Sequence, residues 1–255
     1  MSKLAYIRST MTVSLPARQG GLSSAEPAWP RGPREPSLAR AAVHVWRAEL
    51  TQTDARVTDA LSDAERERAA RLLDERARLR WSRSRGLLRA LLGRYLQIEP
   101  GAVELRSGPH GKPELAEPRD GGRPALFFNL SHSRELALFA FTRAAPIGVD
   151  VQFARSGAHA RAADRVALAR RALGEQAALG LAALAADARE REFVRLWTRH
   201  EAELKRRGTG LGASAAGARA RAASALVDLD VGSPAAAAAL ALGESASELR
   251  CWRWS

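Results

Sequence analysis

Three features of the sequence predict an α+β fold. Strand-like segments follow one another from Phe127 to Val151 with only short turns between them, so no helix is free to cross over as in a βαβ unit. Helical periods are gathered elsewhere, over residues 62–100 and 190–207. No G-x-G-x-x-G or Walker loop is present, so any nucleotide must be held by other means.

Taken in order, residues 1–40 are rich in proline and glycine without a sustained period and read as a disordered leader that the fold does not need. Ala42 to Ala48 reads as a first strand, with Val43 and Val45 on one face. Ser62-Asp63-Ala64-Glu65 has the S-x-x-E pattern of a capping box, in which hydroxyl and carboxylate satisfy the open amides of a helix start. Helix is expected from there to Pro100, with Leu72, Leu73, Leu79, Leu87, Leu88, Leu91, Leu92, Tyr95 and Leu96 at helical spacing. The Ser82 to Gly86 segment is expected to bend or divide it. Arginines fill the other face from Arg66 to Arg89 and read as a solvated surface, with phosphate contact as the alternative.

Val103 to Leu105 is a short strand, and Ser107 to Pro113 is a turn-rich loop. After the three central strands, Ala158 to Ala186 has the composition of helices, weakly divided at Gly174 and Gly180. A helix over Glu190 to Arg207 stops near Gly208-Thr209-Gly210. Ala225 to Val231 and Leu249 to Trp254 are further candidate strands.

The formal charge of +12 is carried almost wholly by arginine, the only lysines being Lys3, Lys112 and Lys205. Such a balance suits an anionic partner, whether nucleic acid, a phosphate-rich cofactor or an acidic protein surface. The single Cys251 excludes an intrachain disulfide and a cysteine-built zinc site. The longest uncharged Ala-rich run, Gly232 to Gly243, is far short of the roughly 20 residues of a membrane span, and a cytoplasmic protein is expected.

Chemistry concentrates in three stretches. In Ile147-Gly148-Val149-Asp150-Val151-Gln152 strand alternation puts the three β-branched residues on one face and Asp150 with Gln152 on the other. Phe128-Asn129-Leu130-Ser131-His132-Ser133 precedes it. On the late helix Trp197, Glu201 and Lys205 are spaced by four and share one side, where Glu201 and Lys205 could simply pair with each other.

In this order these pieces resemble the 4′-phosphopantetheinyl transferases of the surfactin-synthetase-activating class. The likeness runs over residues 43–212: the Ser62 capping box with its arginine-rich helix, Gly111-Lys112-Pro113, Asn129 to Ser133, Gly148 to Val151, and W-x-x-x-E-A-x-x-K from Trp197 to Lys205. It implies two similar α/β halves with pseudo-twofold symmetry and the active site at their interface. Residues 41–125 would supply coenzyme A and carrier contacts, and residues 126–255 the metal and phosphate site. The implied reaction moves phosphopantetheine from coenzyme A to a serine of an acyl or peptidyl carrier protein and releases adenosine 3′,5′-bisphosphate.

By the same resemblance Mg2+ is held by Asp150, Glu201 and Gln152, with Glu201 as base and Lys205 facing the pyrophosphate. Coenzyme A then meets Ser131, His132 and Lys205, its adenine borders Gly111, Lys112 and Pro113, and Arg68 and Arg80 reach its 3′-phosphate. Three departures stand out: Gln152 replaces a common second acid, His200 replaces the usual lysine before Glu201, and the chain stops at Trp252 to Ser255, where relatives continue into another strand. They motivate a second reading, a homologue that binds coenzyme A or a carrier protein without turnover. The expected partners are a carrier protein and coenzyme A, with no nucleic acid and no membrane, acting on a monomer.

Overall fold

The computed structural model describes residues 29–108, 110–116, 126–154, 162–209, 225–243 and 246–255. The chain order is β1 (Ala42–Glu49), α1 (Asp63–Ala70), α2 (Glu75–Leu96), β2 (Leu105–Ser107), β3 (Pro113–Leu115), β4 (Phe127–Ser133), β5 (Leu136–Thr142), β6 (Ile147–Phe153), α3 (Ala162–Ala172), α4 (Glu175–Ala182), α5 (Ala186–Arg207), β7 (Ala225–Asp228), β8 (Ala236–Leu242) and β9 (Glu248–Arg253). The fold is α+β, as the sequence predicts.

Two sheets pack face to face. The first has the order β4-β5-β1-β9, with β1 antiparallel to β5 and parallel to β9; the second, β6-β8-β7, is antiparallel throughout. Alternation along β1 and β5 explains the layers. Val43, Val45, Leu138 and Ala140 meet Ile147, Val149, Val151 and Leu240 between the sheets. Ala42, Trp46, Ala48, Phe139 and Phe141 face outward onto Leu87, Leu88, Leu91 and Leu92 of α2. On the far side α5 covers the second sheet, its Ala202 lying on Ala239 and Ala241. Because β1 is buried on both faces and needs neighbours at both edges, its partners come from beyond residue 126. The strands of the first sheet thus straddle the expected division at residue 125.

The Ser62 capping box forms, with Glu65 N–H donating to Ser62 Oγ and Glu65 Oε2 accepting from Ser62 N. The break in the long helix falls elsewhere than expected. It lies between Ala70 and Glu75, where Asp74 caps α2 by accepting from Arg76 N and Ala77 N; α2 then runs unbroken through Ser82 to Gly86. Gly86 serves close approach, since a Cβ there would lie 2.2 Å from the Val57 carbonyl oxygen. Leu73 sits in the break and is fully exposed, so it is not part of the apolar stripe.

Arg89 departs from the solvated arginine face. It is 3% exposed, and its Nε donates to Glu65 Oε2 at 2.6 Å while Nη1 donates to Val103 O. Arg85 also pairs with Glu65. Removing the shared acid leaves Arg89 buried without a counter-charge, so Glu65→Ala should destabilise the fold by about 3 kcal/mol in urea titration.

Behind β1, Trp46 Nε1 donates to Tyr95 Oη, which is also hydrogen-bonded to His44 Nδ1 at 2.9 Å. Burial, with a smaller push from Arg250, lowers the His44 pKa from 6.5 to about 4. Neutral imidazole is therefore the folded form, and the unfolded chain takes up the proton first. The His44 contribution should be fully present above pH 6.5 and fall by about 3 kcal/mol as the pH drops from 6.5 to 4, a slope that His44→Gln should flatten in pH-dependent denaturation.

Two further expectations change. Residues 29–40, assigned to the leader, are packed: Trp29 is buried and donates to the Asp230 carbonyl, and Arg31 bridges to Arg253 beside β9. Residues 1–28 of that leader lie outside the described residues, as do Pro109 and the start of the helical stretch at Ala158, whereas the late helix stops as expected, with Gly208 as its C-cap at φ 69°. The Ala-rich run contains β8, the central strand of the second sheet, where alanine's helical preference yields to a place between two strands. Among the described residues no helix is long and apolar enough to cross a membrane.

Candidate active site

The site grows from β6. Its apolar face is sealed between the sheets, so Gly148, Asp150 and Gln152 must face α5. Gly148 sets how near that helix comes, because a Cβ there would fall 1.9 Å from the Ala202 carbonyl oxygen and 2.5 Å from Arg206 N. With backbone against backbone, the side of α5 carrying Glu201 and Lys205 is brought to Asp150.

Asp150 is 1% exposed, and each carboxylate oxygen is used. Oδ1 accepts from Ser131 Oγ at 2.7 Å and from Lys205 Nζ at 2.6 Å, while Oδ2 accepts from the Gln152 amide at 3.3 Å. Lys205 Nζ also reaches Ser131 Oγ at 2.9 Å and the Val149 carbonyl. Lys205 therefore ion-pairs with Asp150 across the two elements and not with Glu201 one turn back on its own helix. A charge buried this deeply needs such a partner set.

That leaves the Glu201 carboxylate half-buried and beside a second acid. Burial first, and then the charge of Asp150, raise its pKa above the usual carboxylate value, against a smaller opposing effect of Lys205. A carboxylate of raised basicity near a second acid can take up a proton or share a cation with it. Among the described residues no three His, Cys, Asp or Glu are grouped to hold a metal. The expected ligand set of Asp150, Glu201 and Gln152 thus contains two carboxylates and one amide, with the amide nitrogen of Gln152 turned to Asp150.

At the rim, His132 is the penultimate residue of β4 and is exposed. Crowding by protein atoms, then the charges of Lys205 and Arg80, hold its pKa below the ordinary histidine value. Arg80 is itself fastened to Glu135 at 2.7 Å, which fixes the start of α2 beside the β4–β5 turn. Arg68 lies apart on α1, its guanidinium 5.8 Å over the Trp81 ring that Arg85 also covers.

The Gly111-Lys112-Pro113 loop forms the turn end of the β2–β3 hairpin, with Gly111 at φ 76°. Lys112 Nζ donates to the Lys205 carbonyl at 2.7 Å and the Ile147 carbonyl at 3.2 Å, tying the hairpin to the end of α5 and the start of β6. Burial pushes its pKa down to about 8, with Arg206 and Lys205 adding to the shift and Glu114 opposing it. The structure thus brings together Asp150, Gln152, Ser131, Lys205 and Glu201, with His132 and Arg80 at the rim. Lys112 braces this group from behind, and Arg68 stands outside it. Asn129, two residues before Ser131, was not among the candidate site residues; its Oδ1 accepts from Val149 N at 2.8 Å, next to Asp150.

Comparison with known proteins places these features in company. Residues 44–143 match a family model described as 4′-phosphopantetheinyl transferase, N-terminal. The chain is 35% identical over 181 residues to the 4′-phosphopantetheinyl transferase HetI of Nostoc sp., covering 69% of this chain and 73% of that protein. It is 31% identical over 117 residues to a phosphopantetheinyl transferase of Thraustochytrium sp., covering 44% of this chain and 40% of that one.

Proposed function

Because this chain belongs to the 4′-phosphopantetheinyl transferase family, we propose that it moves the phosphopantetheine arm of coenzyme A to a serine of an acyl or peptidyl carrier protein and releases adenosine 3′,5′-bisphosphate. The observation that carries the reading is the ion pair of Asp150 with Lys205 across β6 and α5, near enough to Glu201 for the Asp150 charge to help raise its proton affinity. In the proposed reaction the serine oxygen attacks the phosphorus that bears the pantetheine arm, and the bond to the bridging oxygen breaks. Glu201, whose proton affinity is raised, accepts the serine proton. Lys205, held by Asp150 and Ser131, places a positive charge where the leaving diphosphate oxygen gains its electron pair. His132 and Arg80 add donors at the rim for the phosphates.

The oxygen set suits magnesium, which takes one or two carboxylates and leaves its other positions to water and phosphate. Asp150 and Glu201 would hold it, with the Gln152 amide in support, and their mutual repulsion is what a cation would relieve. When bound, magnesium neutralises charge on the diphosphate oxygens. Assignment to the surfactin-synthetase-activating class, with two related halves and the site at their junction, is part of the same reading. It is supported by one 22-residue helix covering each sheet and by Ser131 and Asp150 meeting from different sheets. A monomer in the cytoplasm completes it.

Incubation with an apo carrier protein, coenzyme A and magnesium should raise the carrier's mass by one phosphopantetheine group, and Ser→Ala at the carrier's acceptor should prevent it. Folded protein that binds coenzyme A in calorimetry yet modifies none of several carriers would instead select binding without turnover.

A further inference from the structure

The second sheet ends in an open edge at the place where the reaction is proposed to occur. β6 is hydrogen-bonded to β8 on one side only, so the N–H groups of Val149 and Val151 point away from the sheet with no strand to receive them. Both are nevertheless satisfied, by side chains. Asn129 Oδ1 accepts from Val149 N at 2.8 Å, and Ser131 Oγ accepts from Val151 N at 3.3 Å. Asn129 and Ser131 are two apart on β4 and therefore project from the same face, and the two amides they receive are two apart on β6. The pair acts as a ruler with the period of a strand, and Asp150 lies between its two marks.

Register matters more here than at most edges. A slip of one residue would turn Asp150 toward the apolar layer between the sheets, and a slip of two would carry it about 7 Å along the strand. Ser131 contacts Asp150 and Lys205 directly and belongs to the site. Asn129, 3% exposed, holds the neighbouring backbone.

We propose that Asn129 is a positioning residue for the transfer reaction: its side-chain oxygen, by holding the Val149 N–H, fixes β6 against β4 and so places the Asp150 carboxylate between Ser131 and Lys205. This rests on the transferase reading above, and it adds a residue that touches no reacting group. Asn129→Ala should lower kcat about 10- to 100-fold while KM for coenzyme A and for the carrier stays within about 3-fold, since the rim that binds them is untouched. Asn129→Ser should restore kcat to within about 5-fold of the parent, because Ser131 already shows that a hydroxyl on this face can receive a β6 amide.

Hydrogen exchange read by mass spectrometry on the full chain supplies a measurement independent of turnover. In Asn129→Ala the peptide spanning Val149 to Val151 should lose protection at least about 10-fold more than peptides from β1 and β5. Unchanged kcat, unchanged exchange at β6, or a loss of rate that tracks a uniform loss of protection everywhere would each overturn the proposal. Should the alanine variant not fold, a folded Asn129→Ser variant with kcat reduced more than about 50-fold would overturn it as well. Parent protein that modifies no carrier would remove the transferase reading, while the exchange pattern would still decide whether Asn129 fixes β6.

Discussion

Glu201→Gln should lower phosphopantetheine transfer by about 10²- to 10⁴-fold, the range expected when a general base is lost, while the melting temperature stays level or rises. The two halves of that outcome share one cause. The Glu201 carboxylate is held half-buried next to the Asp150 charge, which raises its affinity for a proton and costs the fold a repulsion. The amide keeps the shape and removes the repulsion, so activity and stability move apart, as they do where a site is strained for function. A transfer assay run beside thermal melts reads both. A variant with the parent's rate would remove Glu201 from the chemistry, and one that simply unfolds would mean the carboxylate has a structural partner after all.

Gly148→Ala should be the most damaging alanine substitution among the described glycines, costing about 4 kcal/mol or more in denaturant titration. Its Cβ would fall 1.9 Å from the Ala202 carbonyl oxygen and 2.5 Å from Arg206 N, and both are backbone atoms of α5 that no rotamer change can move. The helix must lift from β6 or the strand must bend. In either case Glu201 and Lys205 leave Asp150, so any folded fraction should also be nearly inactive. Retention of both stability and transfer would show that α5 is not seated on β6 as described. Gly111→Ala, where nothing lies within 4 Å but φ is 76°, is the fitting control, with a cost of about 1 kcal/mol from backbone conformation alone.

Much of the site was legible because it is written in local periods. Strand alternation places Asp150 opposite Val149 and Val151, and four-residue spacing places Glu201 and Lys205 on one side of α5; both hold in the structure. The pairing itself was not legible. Glu201 and Lys205 are as well spaced for each other as Lys205 is for any distant acid, and only the seating of α5 on Gly148 decides that Lys205 goes to Asp150. Arginine burial was hidden for a similar reason: Arg89 reads like its neighbours until Glu65 and the Val103 carbonyl meet it. The β8 strand escaped notice because a run of alanines has neither alternation nor β-branching, and its strand state comes from β6 and β7 on either side. The sequence does not show what the Lys112 ammonium holds: it donates to two carbonyls, one at the end of α5 and one at the start of β6, which no local period brings to it.

The contact of Gly148, Ala202, Ala239 and Ala241 has a consequence for how such an enzyme can diversify. Gly148 is already the smallest residue, so how near α5 lies to β6 is a main-chain dimension that any added side chain there would change. Side chains can be exchanged without disturbing that contact at the periphery, around exposed His132 and the start of α2.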